Sequence, residues 1–377
     1  MKNFSIYLFF IFMLFSCAST EDSVRTYNID IKHKATLEDY FEDYSFIRLE
    51  TNKECLLSTP QKIDVANNLI SILDHNKIFL FDMSGKYLSK IDHLGNGHNE
   101  YMAIDDYALQ DTLVYILSRA QKVILTYSLR NEMVRKMVLK DWYAHICFSG
   151  KDTLVLSSEN ANGSGKNFLV YDVKNKRVIA EDDGFKNNEN LLFSSFCPFV
   201  GYNKGLLVTH PFDYRVYCLK KNGMEDFCEF RFITKENSDF IKQGVSYDKL
   251  LEQTTNRNVV KFLGPLCFVE NNMYMTFELF DTVGGLGKHI CKIDAKGKVT
   301  NVRLSEKFDK KFPYIMNSMG WYDGSLVSIA SASWILQMEK DHRLSRFHQL
   351  GLTKEDNCIV FFHKLRHFKD HLQKCVD

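Results

Sequence analysis

Short apolar runs recur along most of this chain, each bounded by a small polar corner rich in Gly, Asn or Asp. In FLFDMSGKYLSKI (79–91) most residues on either side of the Ser84-Gly85 corner alternate between apolar and polar, which reads as a β-hairpin. Similar corners follow in YSLRNE (127–132), YDVKNK (171–176), CLKKNG (218–223) and IDAKGK (293–298). Each offers a Gly or Asn (Gly85, Asn131, Asn175, Asn222, Gly297) where a tight turn needs a residue at positive φ. These corners are spaced 46, 44, 47 and 75 residues apart.

A second corner recurs about 18 residues upstream of each, as in Ile63-Asp64-Val65-Ala66 turning through Asn67-Asn68 into LISIL, and again near Asp111, Gly150, Asn203, Asn271 and Asp323. A period of roughly 45 residues with four short strands per unit predicts propeller blades, six in all. Strands such as LVYIL and ILTY are apolar on both faces, so neighbouring blades must cover both sides. The expected fold is all-β, a six-bladed β-propeller with short helical insertions. The long spacing holds an insertion, 234–264, in which SYDKLLEQ predicts a helix capped by Ser246; 331–357 also has near-helical spacing. CIVFFHKL (358–365) has no following partner and SFIRLET (45–51) has no preceding one. Their pairing would close the ring in the last blade.

At the N-terminus one Lys is followed by an apolar run that suits an export signal over 1–16. It stops at Leu14-Phe15-Ser16-Cys17, which resembles the lipobox of bacterial lipoproteins, with Cys17 as the lipidation site. Glu21 and Asp22 just beyond resemble the surface-export signal of Bacteroidetes lipoproteins. The expected organisation is a signal peptide (1–16), a lipid-anchored leash (17–36), the propeller (37–365) and a C-terminal tail (366–377). That places the protein at the outer membrane, on its periplasmic or its surface-exposed side. Charge is balanced, 48 basic residues against 47 acidic, so no global field favours nucleic acid. The cysteines beyond Cys17 contain no C-x-x-C pair, and several lie inside apolar runs, which predicts buried thiols; a Cys218–Cys228 bridge across one hairpin is the alternative.

Together, the Leu14–Cys17 motif, the 79–91 hairpin and Gly95-x-Gly97-x-x-Glu100-Tyr101 resemble the six-bladed β-propeller lipoproteins of Bacteroidetes, related in architecture to NHL-repeat propellers. That family commonly has Pro-Gly where this chain has His98-Asn99. The resemblance implies fold and location and carries no activity.

In a propeller the A–B and C–D connections leave on one face and the B–C and D–A connections on the other. Here the first kind is short and plain, and the long varied segments are all of the second kind, so the loop-rich face is the expected working face. His210, Asp213, Tyr214 and Arg215 gather an imidazole, a carboxylate, a phenol and a guanidinium in one B–C loop, and Glu100 with Tyr101 follows a Gly-rich turn; these six are the candidate binding residues. For Glu100 the alternative is to satisfy loop amides, and for Asp213 and Arg215 to pair with each other. His363, His367 and His371 recur every fourth residue, but His363 ends a strand, which breaks a helical metal-binding register. GGLGK (284–288) lacks the first Gly and the Ser/Thr of a phosphate loop, and no cofactor is expected. The expected function is binding of a glycan, a peptide or an envelope protein partner at the loop-rich face. The alternative is a lyase or hydrolase with a His/carboxylate site in the channel mouth.

Overall fold

The computed structural model describes residues 24–32, 35–158, 166–182, 198–202, 205–210, 213–220, 223–233, 260–280, 286–304, 309–315, 318–342 and 344–366. The chain enters through β1 (Arg25–Asp30), a one-turn helix α1 (Leu37–Tyr40) and β2 (Phe41–Arg48). Four strands then make blade 1: β3 (Pro60–Ala66), β4 (Leu69–Asp74), β5 (Lys77–Asp82) and β6 (Tyr87–Ile91). Blade 2 is β7 (Asp106–Gln110), β8 (Leu113–Ser118), β9 (Val123–Ser128) and β10 (Met133–Val138). Blade 3 is β11 (His145–Phe148), β12 (Thr153–Ser157), β13 (Phe168–Asp172) and β14 (Arg177–Asp182). Blade 4 is β15 (Phe199–Tyr202), β16 (Gly205–His210), β17 (Asp213–Lys220) and β18 (Gly223–Ile233). Blade 5 is β19 (Val260–Val269), β20 (Asn272–Phe280), β21 (Leu286–Ile293) and β22 (Val299–Arg303).

Blade 6 combines both ends of the chain. β23 (Ser318–Tyr322) and β24 (Ser325–Ala330) are followed by helices α2 (Ala332–Asp341) and α3 (Arg346–Gln349) and then by β25 (Ile359–Leu365). β2 completes the sheet by pairing antiparallel with β25, Ser45 opposite Phe362 and Ile47 opposite Val360. The closure expected from the two orphan strands is the one observed, and both helices fall in the stretch expected to be helical. Asn357 pins the segment after β2. Its amide donates to the carbonyls of Glu50 and Cys55 at 2.7 Å each, and its Oδ1 accepts the Leu57 amide at 2.8 Å.

Six apolar clusters occupy the six interfaces between neighbouring blades in ring order. Ile70, Phe81, Val360 and Phe362 join blades 1 and 6, for example, and Leu207, Phe230, Met275 and Cys291 join blades 4 and 5. This is why the central strands are apolar on both faces. A further cluster seats α2 and α3 on blade 6 through Ile335, Phe347 and Phe361.

The corners are left-handed where the turn needs it. Gly85 (φ +85°), Asn131 (φ 67°) and Gly297 (φ +81°) behave as expected. Gly85 answers a second demand, since a Cβ there would lie 2.0 Å from the Arg48 carbonyl oxygen. In blade 3 the left-handed residue is Lys176 (φ 53°), not Asn175. Asn175 instead donates its backbone and side-chain N–H groups to Asp172, at 2.8 and 2.7 Å, and that Asx-type turn shifts the corner by one residue. In blade 4 Gly223 is left-handed (φ 121°), and Asn222 lies outside the described residues.

β1 was not expected. It lies in the stretch read as leash and adds a fifth strand, parallel to β18, running from Arg25 opposite Cys228 to Asp30 opposite Ile233. Ile29 is fully buried there, and Asn301 ties the strap to blade 5, donating to the Asp30 carbonyl at 2.6 Å and accepting the Ala35 amide at 3.1 Å. The seven described cysteines are free thiols. Cys228 stands opposite Val216, and Cys218 opposite Glu225, so the register does not bring Cys218 and Cys228 together. Among the described residues no helix is long and apolar enough to cross a membrane.

Candidate functional site

The innermost strands surround a central cavity of about 1050 Å³. Each of these strands starts at the face carrying the B–C and D–A connections, so their first residues line the loop-rich mouth. Lys62 from β3, Asp106 from β7 and His145 from β11 meet there. Lys62 Nζ donates to Asp106 Oδ1 at 2.6 Å and to the Tyr107 carbonyl at 2.7 Å. His145 Nδ1 lies 3.6 Å from Asp106 Oδ2, which also accepts the Ile146 amide at 3.0 Å. Asp106 thus joins three blades. Burial alone would raise its pKa, but Lys62 and His145 outweigh it and hold the carboxyl well below the ordinary range. For its neighbour Asp64 burial wins over Lys62, Asp106 adds to the effect, and the pKa is raised.

A second ionic pair forms the opposite wall. Glu278, near the end of β20, and Lys288, near the start of β21, approach to 3.6 Å, and Lys288 Nζ donates to the Ser318 carbonyl at 2.8 Å. Burial lowers the Lys288 pKa against the pull of Glu278. Ser318 itself is buried, and its hydroxyl has no hydrogen-bond partner among the described residues. Trp321 from β23 and Trp334 from α2 complete this side. Trp334 is positioned by Ser331, whose hydroxyl caps α2 by accepting the Trp334 amide at 3.3 Å, and by Tyr314, which meets the indole edge-on at 4.8 Å.

None of the six residues expected to bind lines this cavity. Glu100 folds back over its own loop, accepting the Gly97 amide at 2.7 Å; a Cβ on Gly95 would lie 2.0 Å from its Oε2. Tyr101 is fully buried and holds the loop to blade 1, its hydroxyl donating to the Asn76 carbonyl at 2.9 Å and accepting the His93 amide at 3.0 Å. The Gly-x-Gly-x-x-Glu-Tyr stretch is therefore a self-satisfied loop, and its glycines make room for a carboxylate. His210 is buried at the end of β16, opposite Asp213 of β17. Asp213 accepts the Tyr217 hydroxyl at 2.5 Å and the Arg215 amide at 3.0 Å. The Arg215 guanidinium pairs not with Asp213 but with Asp226, at 3.6 Å. Tyr214 donates to the Val260 carbonyl at 3.1 Å. His363 is buried in β25, and Ser246, His367, His371 and Cys17 lie outside the described residues.

The residues that do meet carried a signal that was overlooked. Lys62, Asp106 and His145 stand opposite Leu73, Leu117 and Ser157, the fifth residue of the second strand in each of three blades. Aligning the repeats residue by residue puts a titratable group in one column.

Fold and site together define a closed six-bladed β-propeller with a polar, internally paired channel mouth. The chain belongs to the family described as "Domain of unknown function (DUF4934)", whose model matches residues 25–364. It is similar in structure to a protein assigned to the exported class from Bacteroides fragilis NCTC 9343, with a TM-score of 0.68 at 17% identity over 90% of this chain and 99% of that one. It is also similar to a member of the DUF4221 family from Bacteroides vulgatus ATCC 8482, with a TM-score of 0.54 at 12% identity over 86% and 96% of the two chains. At these identities the likeness is one of fold. No curated protein matches the chain.

Proposed function

We propose that this chain is a lipid-anchored protein of the cell envelope that binds a glycan, a peptide or a partner protein at the loop-rich mouth of its central cavity. One observation carries the reading. The cavity is of ligand size, about 1050 Å³, while its two lysines are already engaged, Lys62 with Asp106 and Lys288 with Glu278. A general base must be free to take a proton, and Asp106 spends both oxygens on Lys62, two backbone amides and His145. Groups held this way orient a ligand rather than transform it. Export is supported by the apolar N-terminal run ending at Cys17 and by the likeness to an exported-class Bacteroides protein.

The test is calorimetric binding on the mature chain with mass-spectrometric analysis of the ligand afterwards. Binding with the ligand recovered intact supports the reading, and turnover refutes it. Labelling with radioactive palmitate should be lost in Cys17→Ala; undiminished labelling refutes the anchor. The enzymatic alternative, a lyase or hydrolase, has one arrangement in its favour, the imidazole of His145 oriented beside Asp106. It requires turnover that His145→Ala abolishes.

A further inference from the structure

We propose that the wall of the cavity between blades 5 and 6 is a subsite for a neutral saccharide, in which Lys288 and Glu278 read hydroxyl groups and Trp334 supports the sugar face. The inference rests on the binding reading above and names its ligand class.

Charge is the first argument. The two ammonium groups of the cavity each face a carboxylate, Lys62 at 2.6 Å from Asp106 and Lys288 at 3.6 Å from Glu278. An anionic ligand, such as an acidic saccharide, would have to displace a carboxylate from one of these ammonium groups and leave it uncompensated, which is strongly unfavourable. A neutral ligand leaves both intact.

Hydrogen-bond geometry is the second. A hydroxyl both donates and accepts, so vicinal hydroxyls can accept from an ammonium and donate to a neighbouring carboxylate at once. Lys288 and Glu278 offer that combination and are reachable, with side-chain exposures of 25% and 15%. The third argument is Trp334, half-buried on the same blade and fixed edge-on against Tyr314. An indole held this way offers a rigid apolar face to the C–H face of a sugar ring.

The experiment titrates the mature chain with neutral hexasaccharides of glucose, galactose, mannose and xylose, with uronic-acid oligosaccharides and hexapeptides as comparators, by calorimetry and ligand-observed NMR. At least one neutral hexasaccharide should bind. Glu278→Gln and Trp334→Ala should each weaken it by roughly tenfold, the scale of one charge-assisted hydrogen bond or one aromatic contact. Binding of peptides or charged oligosaccharides alone overturns the neutral-saccharide assignment and leaves the binding reading standing. Neutral-saccharide binding that both variants leave unchanged overturns the subsite. Failure of every saccharide and peptide to bind overturns the subsite and reduces the binding reading to a partner protein.

Discussion

His363 makes the closing blade sensitive to acid. It sits in β25 with no exposed surface, opposite Tyr44 of β2. Its Nε2 lies 3.0 Å from the Ser328 hydroxyl, its Nδ1 has no partner among the described residues, and the rings of Phe41, Tyr44 and Phe361 surround it. Burial disfavours the imidazolium and pushes the pKa from 6.5 down to about 3. The unfolded chain therefore binds this proton more readily than the folded one. Stability from the neutral ring is complete above pH ~6.5 and drains away as the pH falls towards about 3. Each pH unit in that window is worth ~1.4 kcal/mol, so lowering the pH from 7 to 5 should remove about 2 kcal/mol through this residue. The assay is urea denaturation at both pH values for the native chain and for His363→Gln, whose amide can still reach Ser328. The native chain should lose about 2 kcal/mol more than the variant. Equal losses, or an imidazole C–H resonance titrating near pH 6.5, would refute the reasoning.

Three further outcomes follow from the same geometry. Asp106→Leu leaves Lys62 and two backbone amides without their acceptor and should destabilise by ~3 kcal/mol; adding Lys62→Met should recover part of that in a double-mutant cycle. Glu100→Ala should cost about 1–2 kcal/mol by freeing the Gly97 amide. Gly95→Ala should cost a similar amount by displacing the same carboxylate, and the two together should be less than additive in thermal melts. Deleting 37–51 removes the outer strand of blade 6 and should abolish the cooperative melting transition, whereas deleting through residue 31 removes only β1 and should leave it. A cooperative melt of the first deletion would show that the ring does not depend on its clasp.

The blade count, the strand corners and the ring closure were legible in the sequence because their causes are local. Alternation over a few residues, a Gly or Asn at a tight turn and two strands without neighbours need nothing distant to be recognised. Even there, Asn175 shows the limit, since a side-chain bond to Asp172 moved the left-handed residue to Lys176. β1 does alternate, with Tyr27, Ile29 and, just past its end, Ile31 packed on the cluster between blades 4 and 5, but the edge it pairs with, β18, is distant in the sequence and nothing local marks that pairing. The site was decided by tertiary structure alone. Lys62, Asp106 and His145 are separated by whole blades in the sequence and meet only because the ring brings the starts of successive inner strands together. The residues that looked most chemical, Glu100 and Tyr101, and Asp213, Tyr214 and Arg215, are engaged in their own loops and strands. Residue type revealed which side chains could act, but only their placement around a shared cavity determined which ones line it.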